Sequence, residues 1–387
     1  MVTTNPVDTA IGARKDDHVR YAVAQHQQRT ADPVAGAFDD IGFVHHALAG
    51  VDTESVSLAT GFAGVRWPVP LYINAMTGGS ARTGEINRGL AIAARETGVA
   101  IATGSMSAYL KDPGVAHTYR VIRQENPGGF IFANVNANTT PDQARRAVDL
   151  LGADALQIHI NAVQETVMPE GDRDFSPWPG NIARLAAELD IPVVVKEVGF
   201  GLSGDTLRLI ARLGVHAADV SGSGGTNFAV IENNRRDGND FGYLAGWGQS
   251  AAAGLLEGAA ATPLPLLASG GVRNPLDVIK ALALGARAVG ASGQFLAVLD
   301  ARGVPGLIAL INDWLEQIRQ LMALLGATEI SDLTRTDLLI RGTLAEYCAL
   351  RRIDIVHLAN RRGRSEPTVA GWRPARCSAQ HLDSTDR

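Results

Sequence analysis

Three observations predict a (β/α)8 barrel with an N-terminal extension and a long loop after its sixth strand. Eight short apolar runs follow one another from Val69 onward: PLYINAM, VAIATGS, FIFANVN, ALQIHIN, PVVVKEV, AADVSGS, PLLASGG and AVGASG. Between them lie helix-like stretches such as ARTGEINRGLAIAARETG and TPDQARRAVDLLG, whose apolar residues recur every three or four positions and which end at Gly98 and Gly152. Pro141 after Thr140 marks a helix start. Polar residues gather at the run ends: Thr77, Ser105, Asn134, Asn161, Lys196, Ser221 and Ser292. Parallel strands separated by helices close into a barrel whose active site lies at the C-terminal strand ends. A doubly wound open sheet is the alternative, but it does not need a polar group at every strand end.

The composition agrees. In 387 residues, 46% are hydrophobic, 42 are glycine and 5% are aromatic, as suits helices packed closely on a sheet. A formal charge of −5, from 35 basic and 40 acidic residues, gives no general attraction for nucleic acid or an anionic membrane. An anionic substrate must therefore be held by a local cluster. Cys348 and Cys377 fit neither a disulfide framework nor a metal site, so free thiols in a reducing cytoplasm are expected. The start MVTTNPVDTA has no signal-peptide pattern, and no uninterrupted apolar run is long enough to span a bilayer. A cytoplasmic protein is expected, with residues 1–65 as extension, 66–352 as barrel and 353–387 as a flexible tail.

In chain order, RKDDHVR (Arg14 to Arg20) is first a charge run, and such runs usually form a solvated face. The adjacent Arg14 and Lys15 also suit a phosphate ligand if another part of the protein closes over it. FDDIGFVHHALAG, from Phe38 to Gly50, is a connector with His45 and His46 in structural roles. ALQIHINAVQE puts Gln157, His159 and Asn161 on one face of a strand and follows them with Gln164 and Glu165. Each of these polar groups needs a partner, internal or bound, because a buried unpaired one costs roughly 1–3 kcal/mol.

Lys196 inside PVVVKEVG is costly without an anionic partner, and Glu197 points to the opposite strand face. A Schiff base or an oxyanion contact is open to it, and a bound cofactor is the expectation. The sixth unit, VSGSGGTNFAVIENNRRDGNDFGYLAGWG, supplies glycines near Gly222, with Thr226, Asn227 and Glu232 in reach of a ligand. SGGVR (Ser269 to Arg273) and GASG lie at adjacent strand ends and form the expected phosphate cradle, with Arg273 as a fixed charge.

Taken in order, RKDDH, NAMTGG, GSMSAYL, ANVNA, QIHINAVQE, VKEVGFG, VSGSGGTNFAVIEN and ASGGVRNPLDVIKALALGA resemble the motifs of the type 2, FMN-dependent isopentenyl-diphosphate isomerases. The match runs from about Arg14 to Arg352. It implies an FMN-binding barrel that interconverts isopentenyl and dimethylallyl diphosphate, needs reduced flavin and Mg²⁺, takes NADPH as flavin reductant, and forms a homotetramer or homo-octamer. By motif, Ala75, Met76 and Thr77 would line the flavin ring, and Ser105, Asn134 and Lys196 would bond its polar edge. Ser221, Thr226, Gly271, Val272, Arg273, Ser292 and Gly293 complete the implied flavin contacts. Arg14, Lys15, His159 and Asn161 would meet the diphosphate, Gln164 the substrate, and Glu165 the Mg²⁺. Gln164, Glu232 and His18 form the implied catalytic group, with Gln164, Glu232 or a water relaying protons. Two positions depart from the pattern: Ser292, where many members have alanine, and His46, where asparagine is common. An FMN-dependent α-hydroxy acid oxidase is the alternative, but such enzymes carry His-Gly-Gly-Arg after the sixth strand, where this chain reads SGSGGTN.

Overall fold

The computed structural model describes residues 6–31, 36–236 and 240–362. After a long helix, α1 (Pro6–Ala31), come β1 (Ile41–Phe43), β2 (Thr60–Phe62) and β3 (Val65–Trp67). The eight runs then form β4 (Leu71–Ile73), β5 (Ala100–Ala102), β6 (Ile131–Asn136), β7 (Ala155–Ile160), β8 (Val193–Glu197), β9 (Ala217–Asp219), β10 (Leu266–Ser269) and β11 (Val289–Ala291). Successive strands pair in parallel, and β11 closes the ring on β4 through Val289↔Leu71, Gly290↔Tyr72 and Ala291↔Ile73. Covered on both faces, these strands read as apolar runs rather than as an alternation. The helices between them begin and end on local chemistry. Ser80 and Thr140 each make a reciprocal capping box, and Gly98 and Gly152 close their helices in the left-handed conformation.

The N-terminal end of the barrel is plugged by aromatic rings. The β2–β3 hairpin brings Phe62 and Trp67 against Phe130, Phe132 and Tyr72, with centroids 5.0 to 6.3 Å apart. Above this plug the interior turns polar. The fully buried Asp219 accepts from Tyr72 Oη at 2.6 Å, Asn74 Nδ2 at 3.1 Å, Ser269 Oγ at 2.9 Å and Ser221 N at 3.1 Å. A charge at this depth is tolerable because so many donors converge on it. Burial and the neighbouring Asp219 push the Tyr72 hydroxyl well above its usual pKa.

Two features differ from the sequence expectation, the 293–325 helix and the 353–362 segment, and a third, the 38–50 connector, adds detail to it. The stretch Gly293–Leu325 is long and apolar enough to cross a membrane by length and composition. It is broken at Gly303 (φ 65°) just before Pro305, and its buried Leu307, Ile311, Trp314, Ile318 and Met322 pack into the barrel's core. The 38–50 connector contains β1, which pairs antiparallel with β12 (Leu338–Ile340), and His46 Nε2 lies 2.9 Å from Asp337. Residues 353–362, assigned in sequence to a flexible tail, pack on the barrel. Leu358 is buried, Arg361 donates to the Ala283 carbonyl at 2.8 Å, and the Arg362 amide donates to Asp337 at 2.8 Å. Residues 363–387, with Cys377, lie outside the described residues. Cys348 is a buried free thiol.

Candidate functional site

α1 lies across the open end of the barrel. Arg14, His18, Ala22, Gln25 and Arg29 recur every three or four residues, so one helical face points down at the strand ends. That face is held at several points. Ser80 donates to Asp16 at 2.6 Å, Val19, Ala22 and Val23 pack on Leu296, Gln25 bonds both the amide and the carbonyl of Asn227, and Arg29 donates to the Gly225 carbonyl at 2.7 Å. Beneath it is a cavity of about 800 Å³.

One end of the cavity collects groups for an anion. Lys15 is buried there, and burial, reinforced by neighbouring Arg14, lowers its pKa to about 7. Arg14 pairs with Glu170 at 3.1 Å. His159 lies below them, its pKa lowered to about 3 by burial and then by Lys15 and Lys196. The ring is therefore neutral near pH 7. Its Nδ1 sits 2.7 Å from the Asn134 carboxamide oxygen, an acceptor, so Nδ1 carries the proton and Nε2 does not. Asn161 donates to Gln164 Oε1 at 3.2 Å and to Glu165 Oε1 at 2.9 Å, while Glu165 Oε2 accepts the Asp172 amide at 2.8 Å.

Beside this cluster Glu232 is wholly buried, with His18 Nε2 and Gln164 Nε2 each 2.9 Å from its Oε1 and Arg235 on its other oxygen. Burial alone would raise its pKa, but the bonds from His18 and Gln164 and the charge of Arg235 outweigh burial and hold it at about 2. Burial chiefly lowers the His18 pKa. His18 and Gln164 line the cavity, and Glu232 stands behind them. The implied catalytic trio therefore splits into two groups at the wall and one fixed anion that positions both.

At the cavity's centre Lys196 Nζ donates to the Glu197 carbonyl at 2.7 Å and to Ser221 Oγ at 3.1 Å. Burial lowers its pKa, against the attraction of Asp219 and Glu197. As strand alternation requires, the Glu197 carboxylate faces elsewhere, accepting from the amides of Phe200 and Gly201. Ala75, Met76, Ser105 and Asn134 line the same region. Thr77 does not line the cavity; it is buried behind it, with Oγ1 lacking a partner.

The other end is a cradle of backbone. Cβ atoms added to Gly225 and Gly224 would lie 3.2 Å from the Cα atoms of Gly270 and Gly271, and one on Gly270 would strike the Gly222 carbonyl at 1.9 Å. Only glycine allows the loops after β9 and β10 to touch in this way. Thr226, Val272, Ser292 and Gly293 complete the rim. Arg273, expected there as a fixed charge, lines it too, with its guanidinium paired to Asp39 Oδ2 at 2.8 Å and Asp277 Oδ2 at 2.9 Å. Thr226 Oγ1 is buried at this rim without a partner. This orphaned hydroxyl, the glycine cradle and a buried lysine together fit a planar, phosphorylated, hydrogen-bonding group such as FMN.

Comparisons with known proteins decide the family. Residues 132–340 match the model for FMN-dependent dehydrogenases. Curated relatives named isopentenyl-diphosphate delta-isomerase include one from Streptomyces sp. (strain CL190), 60% identical over 90% of this chain and 95% of its own. Another, from Staphylococcus haemolyticus (strain JCSC1435), is 45% identical over 88% and 97%. The chain belongs to the type 2, FMN-dependent isopentenyl-diphosphate delta-isomerase family. Solved structures of a mandelate oxidase (21% identity, TM-score 0.58, 79% of this chain and 89% of that one) and of flavocytochrome b2 (23%, 0.58, 77% and 75%) share its fold. Motif reading did not single out His26 and Arg29 of α1, which line the cavity, Gln25, which docks α1 on Asn227, or Asp39, which pairs with Arg273. The signal for the first three was helical spacing from Arg14. Asp39 gave none, since its partner Arg273 is distant in sequence.

Proposed function

We propose that this protein interconverts isopentenyl and dimethylallyl diphosphate using reduced FMN. The observation that carries the reading is one cavity with two separate anion-holding ends, the glycine cradle and the Arg14–Lys15 cluster, with Lys196 between them. Bound reduced FMN supplies an electron-rich ring and an acidic N5 proton for alkene chemistry. The chain's own residues do the rest. Lys196, Ser105, Asn134 and Thr226 would hold the flavin, with Ala75 and Met76 beside its ring and the backbone at Gly271, Val272, Ser292 and Gly293 at its phosphate. Arg14, Lys15, His159 and Asn161 hold the diphosphate, and α1 keeps water from the reacting carbons. Gln164 and His18, locked by Glu232, stand where a proton can be held or passed.

Glu165 is the proposed Mg²⁺ ligand. No cluster of three His, Cys, Asp or Glu exists among the described residues. A single carboxylate still suits Mg²⁺, which keeps several waters and takes its remaining ligands from substrate phosphates. Glu165→Gln is expected to raise the Mg²⁺ concentration for half-activation roughly tenfold or more while FMN stays bound; unchanged activity at low Mg²⁺ would remove the assignment. NADPH as reductant, a homotetrameric or homo-octameric assembly and a cytoplasmic location are proposed with it.

The function is tested anaerobically in D₂O by counting product against NADPH oxidised. Many turnovers per reduction, with deuterium in the product, are expected. One NADPH or one O₂ spent per product would reinstate an oxidoreductase, although SGSGGTN after β9 offers no histidine base for one.

A further inference from the structure

We propose that Arg29, on the last turns of α1, supplies the positive charge for the FMN phosphate that Arg273 does not. The inference rests on the flavin reading above. Arg273 is neutralised on both sides by carboxylates, Asp39 and Asp277. Arg29 lines the cavity, and its Nη1 donates to the Gly225 carbonyl at 2.7 Å. Gly225 is the residue that lies against the backbone of Gly270 and Gly271, and the neighbouring Thr226 Oγ1 lies 3.1 Å from where a Cβ on Gly293 would be. The guanidinium is thus anchored to the one loop that touches both other parts of the phosphate cradle.

Its surroundings ask for an anion. Arg29 is partly buried, and no carboxylate among the described residues pairs with it. A desolvated guanidinium is stabilised by an acceptor of opposite charge, and a phosphate offers its forked donors a bidentate match. The substrate's diphosphate is not that anion. Arg14 and Arg29 share a helical face but stand about 22 Å apart along it. The two ends of α1 therefore serve two different anions, and α1 is a clamp over cofactor and substrate together.

The test uses apoprotein, stripped of flavin, titrated with FMN and with riboflavin and followed by flavin fluorescence. In the wild type, FMN is expected to bind much more tightly than riboflavin. Arg29→Gln is expected to weaken FMN binding roughly ten- to hundredfold and to leave riboflavin unchanged, with Arg29→Lys in between. The melting temperature of each apoprotein reports whether the variant folds. Should Arg29→Gln bind FMN like the wild type, or lose riboflavin equally, the assignment of Arg29 is overturned while the flavin reading stands. A wild-type apoprotein that binds neither flavin would sink the underlying reading itself.

Discussion

Glu232→Gln is expected to lower kcat by about a hundredfold while leaving FMN affinity near that of the wild type. The carboxylate does not reach the cavity, so the loss comes through the two groups it holds, His18 on α1 and Gln164 after β7. An amide at 232 keeps one acceptor but turns its other end into a donor, which faces Arg235. The ion chain from Arg14 through Glu170 and Arg235 to Glu232, with His18 hydrogen-bonded at its end, is then cut in the middle. A pH experiment separates this role from mere packing. The folded pKa of about 2 lies below the unfolded carboxylate value of about 4.3, so its stabilisation is complete above the unfolded value. It fades as pH falls from there toward 2. Unfolding free energy measured against pH should show that acid step in the wild type and a smaller one in Glu232→Gln, with Glu232→Asp restoring part of kcat. A glutamine variant with undiminished kcat would mean that neither His18 nor Gln164 needs to be held in place.

The parts of this molecule that were legible in sequence are those whose physics is local. Each barrel strand is a short apolar run because both its faces are covered, and the caps at Ser80, Thr140, Gly98 and Gly152 act within four residues. The polar face of β7 was legible because strand alternation is strict. α1 was hard to read for the opposite reason. Its buried face mixes Lys15, His18, Gln25 and Arg29 with Val19 and Ala22, so it has no clean apolar stripe, and its partners lie some two hundred residues away. The SGGVR motif offers Arg273 as a fixed charge at the phosphate cradle. Asp39, which takes up its charge, arrives from the extension, where no pattern announced it. The same limit hid the position of Glu232. Sequence places it in a loop near the site, and only the packing of the helix Ala162–Val167 against the helix Phe228–Asn233 puts it behind the wall rather than in it.

Lys15→Met is expected to raise the KM for isopentenyl diphosphate about a hundredfold at pH 6, and to abolish a pH dependence that the wild type should show. Burial first, and Arg14 second, bring the Lys15 pKa down to about 7 in the substrate-free protein. Below that pH the ammonium is present and ready for a diphosphate; above it the amine is neutral. The sign for stability runs the other way from that for binding. Between about 7 and the unfolded value of about 10.4 the unfolded chain holds a proton that the folded chain lacks, so the substrate-free protein gains stability as pH rises. Substrate must then restore the proton, and the fraction of protein ready to bind falls about tenfold for each pH unit well above 7. Calorimetric titration with a non-reacting diphosphate at pH 8, in two buffers of different ionisation enthalpy, should show close to one proton taken up on binding. In Lys15→Met that uptake should vanish. If it survives, the proton goes to Nε2 of His159, the other neutral group facing the diphosphate. If the wild type takes up none and its kcat/KM is flat from pH 6 to 9, then Lys15 is already charged, or is not at the diphosphate at all.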